Sequence, residues 1–364
     1  MDTTIFKQEK YLLFALLMAL LALSLEHRLI GSGQMLALLT TGVLVFAILM
    51  ASLRVAHHAE VLAEKYGEPY GTMILTISAV LVEVVILVVM LSHNPSPTLL
   101  RDTIYSAVML DLNGILGFCA IIGGLKYGEQ SYNVDSGNTY IVMILTAMGV
   151  SMIVPEFIAA VHWQTYSIFT IAIMILMYGI FLRLQVGQHS YFFSYAYAQH
   201  PHDAELGQPH HTQSSAKQSA ALLVAGIVII GVLAEVMSKS FDIGLAGMGM
   251  PPITAALLVA VMSASPEILT CVRAALANKM QPVVNIALGA SLSTVILTVP
   301  VVGLLALLNN TPIEMAMTPI QTVMIFLTLM VASINLHDGE TNAIEGMTHF
   351  VLFLTFIMLS FLGV

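Results

Sequence analysis

Two carboxylates stand in the middle of long apolar runs in this chain. Glu83 lies within 70–92, and Glu267, directly after Pro266, lies within 252–273. Both sit about 13–15 residues into their runs, near the midplane of a bilayer at a helical rise of 1.5 Å per residue. An ionisable side chain at that depth costs roughly 2.5–3.5 kcal/mol even on the lenient insertion scale, which makes it a candidate functional site by default. Paired carboxylates suit a hard cation, which needs oxygen ligands and compensating negative charge. With no cation between them, repulsion and poor solvation favour the protonated forms. One site that holds either a cation or protons has the chemistry of exchange once its access alternates between two sides. The bland alternative is that each glutamate caps or pairs within a bundle, and two matching occurrences argue against it.

The neighbours extend this oxygen-rich pattern. Ser78 precedes Glu83, and Ser263 and Ser265 precede Glu267. The next apolar run in each case carries a glycine-punctuated stretch, with Asp111, Asn113, Gly114 and Gly117 in one and Gly289, Ser291, Ser293 and Thr294 in the other. The expected metal ligands are Glu83 and Glu267. Ser78, Ser263, Ser265, Ser291, Ser293 and Thr294 are expected ligands or hydrogen-bond partners, against the alternative that each merely bonds a preceding carbonyl. Pro266 breaks a helix and can free carbonyls to coordinate. Asp111 is a candidate proton relay or second cation site, or it faces a watery vestibule. Asp338 and Glu345 lie at a membrane boundary, as a gate or cation attractor, or within a helix cap made by Asp338 or Thr341. Glu235 precedes Lys239 by four residues and is read as its structural partner.

Elements must hold these groups. The chain is 58% hydrophobic and 9% charged, with a mean hydropathy of +0.91. A soluble domain carries about 25% charged residues, so this is a polytopic membrane protein. Runs long enough to cross, about 20 residues each, occur at 10–26, 35–55, 70–92, 103–125, 139–160, 165–184, 217–238, 252–273, 283–308, 319–335 and 346–363. The first is expected to be a retained span rather than a cleaved leader. The expected fold class is an all-α polytopic membrane protein with eleven transmembrane helices. With the N-terminus inside, nine Lys and Arg fall in inside segments and three outside, which favours a cytoplasmic N-terminus and a periplasmic C-terminus. A hydrophilic stretch divides the chain into 1–34 (an extra N-terminal helix), 35–184 (five helices), 185–216 (a cytoplasmic linker) and 217–364 (five helices). Because five is odd, the second five-helix unit enters the membrane inverted relative to the first. Glu83 and Glu267 then fall on the second helix of each repeat and can face one central point.

The stretches Asn278-Lys279-Met280, Ile286-Ala287-Leu288-Gly289-Ala290-Ser291 and Pro300 resemble the second repeat motif of the calcium/proton exchangers, a branch of the cation/calcium exchanger superfamily. Asp338 through Gly346 resembles their penultimate-loop motif, and Tyr66 through Gly71, with Glu83 and Arg101-Asp102-Thr103, looks like the bacterial ChaA-type subfamily. The resemblance spans about residue 35 to the end. It implies a ten-helix exchanger core after one extra helix, with Glu83 and Glu267 carrying ions and protons, and Asn113 as the amide common in the first repeat. It further implies calcium/proton exchange across a bacterial inner membrane, with no cofactor beyond the transported ions. Ala79-Val80 and Ser263-Ala264 stand where the family usually has Gly-Asn ahead of each glutamate. That thins the oxygen ring and leaves the cation open among calcium, sodium and potassium.

The partners expected are inorganic cations, protons and the lipid bilayer. The oligomeric state stays open, a homo-oligomer included. Nothing points to nucleic acid, because the few charges are scattered over loops. Cys119 and Cys271 both fall in apolar runs and form neither a disulfide framework nor a Cys-x-x-Cys site. His57-His58-x-Glu60 does not match the His-Glu-x-x-His pattern of metalloproteases, and no nucleophile–base pair marks an enzyme. His189, His200, His202, His210 and His211 in the linker read as solvated, with a weak zinc or proton sensor as the alternative. The rivals to calcium/proton exchange are a monovalent cation/proton antiporter and a cation channel.

Overall fold

A computed structural model describes residues 9–30, 33–67, 70–93, 96–187, 189–195, 215–308 and 313–363, without the side chains of 27–30 and 72. Its helices are α1 Lys10–Ile30, α2 Gln34–Tyr66, α3 Tyr70–His93, α4 Leu99–Tyr127, α5 Val134–Phe157, α6 Trp163–Val186, α7 Ala216–Leu245, α8a Ile253–Ser263, α8b Ser265–Leu276, α9 Met280–Leu308, α10 Pro319–Asn335 and α11 Ala343–Leu362. Ten of the eleven apolar runs each coincide with one of them, and 252–273 falls on the pair α8a and α8b. Among the described residues, eight helices are long and apolar enough to cross a bilayer, or nine if α8a and α8b, bent by 56°, make one span. α1 and the shorter α10 stand outside that count. Helices suit this setting because they satisfy their own backbone in lipid.

Helix α2, Gln34–Tyr66, runs about three turns past the apolar stretch 35–55 seen in the sequence. Arg54, His58 and Lys65 end the apolar run but not the helix, which continues to Gly67. There φ is +63°, and the Gly67 amide closes the last turn on the Ala63 carbonyl. A second departure is a two-stranded antiparallel ribbon, β1 Glu129–Ser131 with β2 Glu340–Asn342. Three-residue strands are too short to show a period in sequence. The ribbon ties the loop after α4 to the loop after α10.

α2 and α7 lie antiparallel against each other. Gln34 at the start of α2 donates through Nε2 to the carbonyls of Gly244 and Ala246 at the end of α7, both at 3.0 Å. Val55, farther along α2, packs on Gly226, earlier in α7. The first helix of each half therefore runs antiparallel to its counterpart. α4 and α9 each contain a π turn, Leu110–Ile115 and Thr294–Thr298. The interval between their first residues equals that between Glu83 and Glu267. The loop contacts also agree with alternate crossing. Arg101 reaches the Ala316 carbonyl at 3.0 Å on one face, and Lys126 reaches the Leu276 carbonyl at 2.9 Å on the other.

The extra helix is fastened by charge. Arg54 Nε donates to Glu9 Oε2 at 3.0 Å, and His58 Nε2 lies 3.3 Å from the same oxygen. Burial alone would raise the Glu9 carboxyl, but Arg54 and His58 outweigh it and hold Glu9 below the ordinary glutamate value. A carboxylate so held stabilises the fold above its ordinary value and loses that contribution as pH falls through the depressed one. Glu9→Gln should therefore lower the thermal midpoint in detergent at neutral pH. The gap from the parent protein should close as the melts are repeated at pH values below 4.5.

Candidate cation site

Three carboxylates from three helices meet one cavity. Glu83 projects from mid-α3, and its Oε2 accepts from Thr294 Oγ1 at 2.8 Å. Asp111 sits in the π turn of α4, and its Oδ2 accepts from Ser291 Oγ at 3.0 Å. Turns of this kind recur at functional sites because the extra residue re-aims side chains. Glu267 occupies the first turn of α8b. Pro266 has no N–H to bond Met262 and its ring clashes there, so the helix breaks at Ala264, which closes α8a and opens α8b. A carboxylate in a first turn faces unpaired amides and the positive end of the helix dipole. α3 has no such break, so matching glutamates sit on unlike helices.

Each carboxylate keeps one buried oxygen free. Glu83 Oε1, Asp111 Oδ1 and Glu267 Oε2 have no hydrogen-bond partner among the described residues. The three groups lie within electrostatic reach of one another. The cavity they line has a volume of about 560 Å³ and extends to Glu60, Thr270, Gln185 and Ser190 at one end of the bundle. Among the described residues, no three His, Cys, Asp or Glu side chains converge tightly enough to hold a metal by themselves. A cation between Glu83 and Glu267 would need hydroxyls, freed carbonyls or water to complete its shell, as hard cations accept.

The other expected residues divide. Ser78, Ser263, Ser293 and Thr294 line the cavity. Ser263 and Ser293 donate to their own helix, to Ala260 O at 3.1 Å and Gly289 O at 2.7 Å, and Ser265 donates to Met262 O at 3.0 Å. For these three the back-bonding alternative holds in this conformation. Ser291 bonds Asp111 and is not part of the cavity wall. Asn113 points elsewhere: its amide donates to Thr328 Oγ1 at 2.8 Å, and its Oδ1 meets His349 Nδ1 at 2.9 Å. The same π turn thus sends Asp111 to the cavity and Asn113 toward α10 and α11.

Asp338 lies in the loop before α11 and Glu345 in the first turn of α11, both away from the cavity. Asp338 Oδ1 accepts from the Glu340 amide at 3.1 Å. The cap of α11 is neither Asp338 nor Thr341 but Asn342, whose Oδ1 accepts from the Ile344 and Glu345 amides at 2.9 and 3.1 Å. Asn342 Nδ2 also donates to Glu345 Oε1 at 3.0 Å. Glu235 does pair with Lys239, at 3.2 Å, and Glu26 shares that lysine at 2.8 Å.

Sequence reading did not find the cavity's mouth. Glu60 was visible only as part of a failed metal motif, and Tyr140, Gln185 and Asn285 carried no signal. The linker begins in contact with the bundle, since Asn285 Nδ2 donates to Phe193 O and Asn133 Nδ2 to Tyr191 O, both at 2.8 Å. His200, His202, His210 and His211 lie outside the described residues.

Residues 36–187 and 218–362 match the family described as sodium/calcium exchanger protein. The sodium-potassium/proton antiporter ChaA of Escherichia coli is 32% identical over 319 residues, covering 86% of this chain and 86% of that protein. The Ca(2+)/H(+) antiporter of Aphanothece halophytica is 23% identical over 274 residues, 68% of this chain and 70% of that protein. The solved structure of native YfkE superposes with a TM-score of 0.76 at 18% identity, over 97% of this chain and 99% of that one, which is a likeness of fold. With the family match spanning both halves, the chain belongs to the sodium/calcium exchanger family of membrane transporters and is not an enzyme.

Proposed function

We propose that this protein is a cation/proton antiporter in which a metal cation and protons compete for Glu83 and Glu267, with Asp111 as a third carboxylate. The observation that carries the reading is the free buried oxygen on each of the three groups at one cavity. In low dielectric, such oxygens are costly unless a proton or a cation meets them. Alternating exposure of one site then couples the two fluxes. Ser78, Ser263 and Thr294 supply further oxygens at the wall, and the break at Ala264 offers carbonyls. The relatives named as antiporters support the same reading.

The cargo proposed first is calcium, exported against entering protons, with sodium or potassium handled as well. Exchange of monovalent cations alone is a second reading, favoured by the 32% identical relative that is named a sodium-potassium/proton antiporter. We further propose the division 1–34, 35–184, 185–216 and 217–364, residence in a bacterial inner membrane, and a cytoplasmic N-terminus. The nine-to-three bias of Lys and Arg supports that orientation, and it turns the cavity toward the cytoplasm.

Purified protein in proteoliposomes with an imposed acid interior tests the reading. Calcium, sodium or potassium added outside should dissipate the pH gradient, read with a pH-sensitive dye, and the cation that does so identifies the cargo. No dissipation by any of the three overturns antiport. Cation flux indifferent to the proton gradient would point to a channel.

A further inference from the structure

An exchanger with one site needs two half-paths, and the cavity accounts for one. Beyond its closed end, α4 is buried at every residue from Leu99 to Met109. That segment packs against α8a and against the π turn Thr294–Thr298 of α9. A helix buried on all sides in a membrane protein is normally apolar all round. This one carries Arg101, Asp102, Thr103 and Ser106.

The hydroxyls are placed in line with the cavity. Ala107 and Thr294 line its wall. Thr103 precedes Ala107 by four residues and so stands on the same face of α4, one turn farther on. Thr298 ends the π turn that Thr294 begins, again one turn farther on. Ser106 lies three residues from Thr103. All three are fully buried, and their hydroxyls have no hydrogen-bond partner among the described residues. Some buried helical hydroxyls bond a preceding carbonyl, as Thr41, Ser151 and Ser240 do, and others, such as Ser52, Thr170, Ser219 and Ser238, also lack a partner; Thr103, Ser106 and Thr298 are set apart by standing in line with the cavity. Past the hydroxyls, Asp102 accepts from Arg101 at 2.9 Å and from Gln321 at 3.0 Å. Arg101 ties this cluster to the loop before α10 through Ala316 O.

We propose that Thr103, Ser106 and Thr298 line the closed half of the ion path, the half leading from the carboxylates to the face opposite the cavity. Hydroxyl oxygens left unpaired in the closed state meet water and the passing hard cation in the open one. The proposal rests on the antiport reading, because only a site that must reach both faces needs this second path.

Thiol labelling tests it. In a Cys119→Ala, Cys271→Ala background, Thr103→Cys and Thr298→Cys are treated with an impermeant cationic methanethiosulfonate in spheroplasts and, separately, in everted vesicles. Ser78→Cys reports the cavity face, and the fully buried Ile104→Cys is the inert control. Thr103→Cys and Thr298→Cys should react from the face opposite to that of Ser78→Cys. Their rate should be roughly 10- to 1,000-fold lower, because a minor conformer is populated at about 0.1–10%. Reaction from the same face as Ser78→Cys, or inertness equal to Ile104→Cys on both faces, overturns the assignment. If the cysteine variants do not accumulate, Thr103→Val and Thr298→Val decide. Maximal exchange should fall while the half-saturating cation concentration, set at the carboxylates, stays, and an unchanged maximal rate overturns the path. Labelling as expected in a protein that exchanges nothing would instead remove antiport and leave the path standing.

Discussion

Glu83→Gln and Glu267→Gln should each abolish exchange in proteoliposomes while leaving a folded, monodisperse protein. Glutamine keeps the size and one oxygen but loses the negative charge and the proton site. Removing one charge from a buried, matched set costs about 2–5 kcal/mol, which is roughly a 30- to 4,000-fold loss of cation affinity at 1.4 kcal/mol per tenfold. The two losses should be equal, although the settings of the glutamates differ. Glu83 is fixed by Thr294, whereas Glu267 stands on the broken helix, where the dipole helps to hold its charge. The measurement is the rate of cation-driven gradient dissipation beside a melting curve for each variant. Exchange at the parental rate in either variant would dismiss that glutamate as a carrier.

The second large effect is structural. Gly346→Val should sharply reduce the yield of folded protein, because α11 crosses α4 with no room for a side chain. A Cβ on Gly346 would lie 2.6 Å from the Ile121 amide nitrogen and 2.7 Å from Gly117 O. One on Gly124 would lie 2.3 Å from the Ala343 nitrogen. These are backbone atoms and cannot rotate away, so the helices must part. Overpacking costs about 1–3 kcal/mol even where side chains can give, and close contact of small residues drives helix association in lipid. Gly179→Ala is the control, since nothing lies within 4 Å of its added Cβ. Size-exclusion profiles and thermal midpoints in detergent should separate the two. Equal behaviour would mean that the α4–α11 contact does not limit stability.

Much of the fold is legible in the chain because lipid enforces it. A segment in hydrocarbon must be apolar and must pair its own backbone, so apolar runs mark helices and the odd count per half implies inversion. The same rule makes a mid-run carboxylate conspicuous, which is why Glu83, Glu267 and Asp111 stand out without a structure. The ends of helices are less legible. The extension of α2 to Gly67 follows from glycine geometry and charge, not from hydropathy.

Which polar side chains face one another is not encoded in such runs. Ser291 and Asn113 both read as ligands, yet one bonds Asp111 and the other turns to Thr328 and His349. That choice depends on the register of a π turn and the packing of α10 and α11, to which a linear pattern is blind. The break at Pro266 was visible, but its consequence, a glutamate at a helix start, needs the 56° bend. The sequence by itself determined a helical membrane protein with carboxylates in the middle of its apolar runs, because burying charge in lipid is too costly to be incidental. Only the tertiary structure decided that a third carboxylate joins them, that Asn113 does not, and that the cavity reaches one face, because those outcomes are set by contacts between helices far apart in the chain.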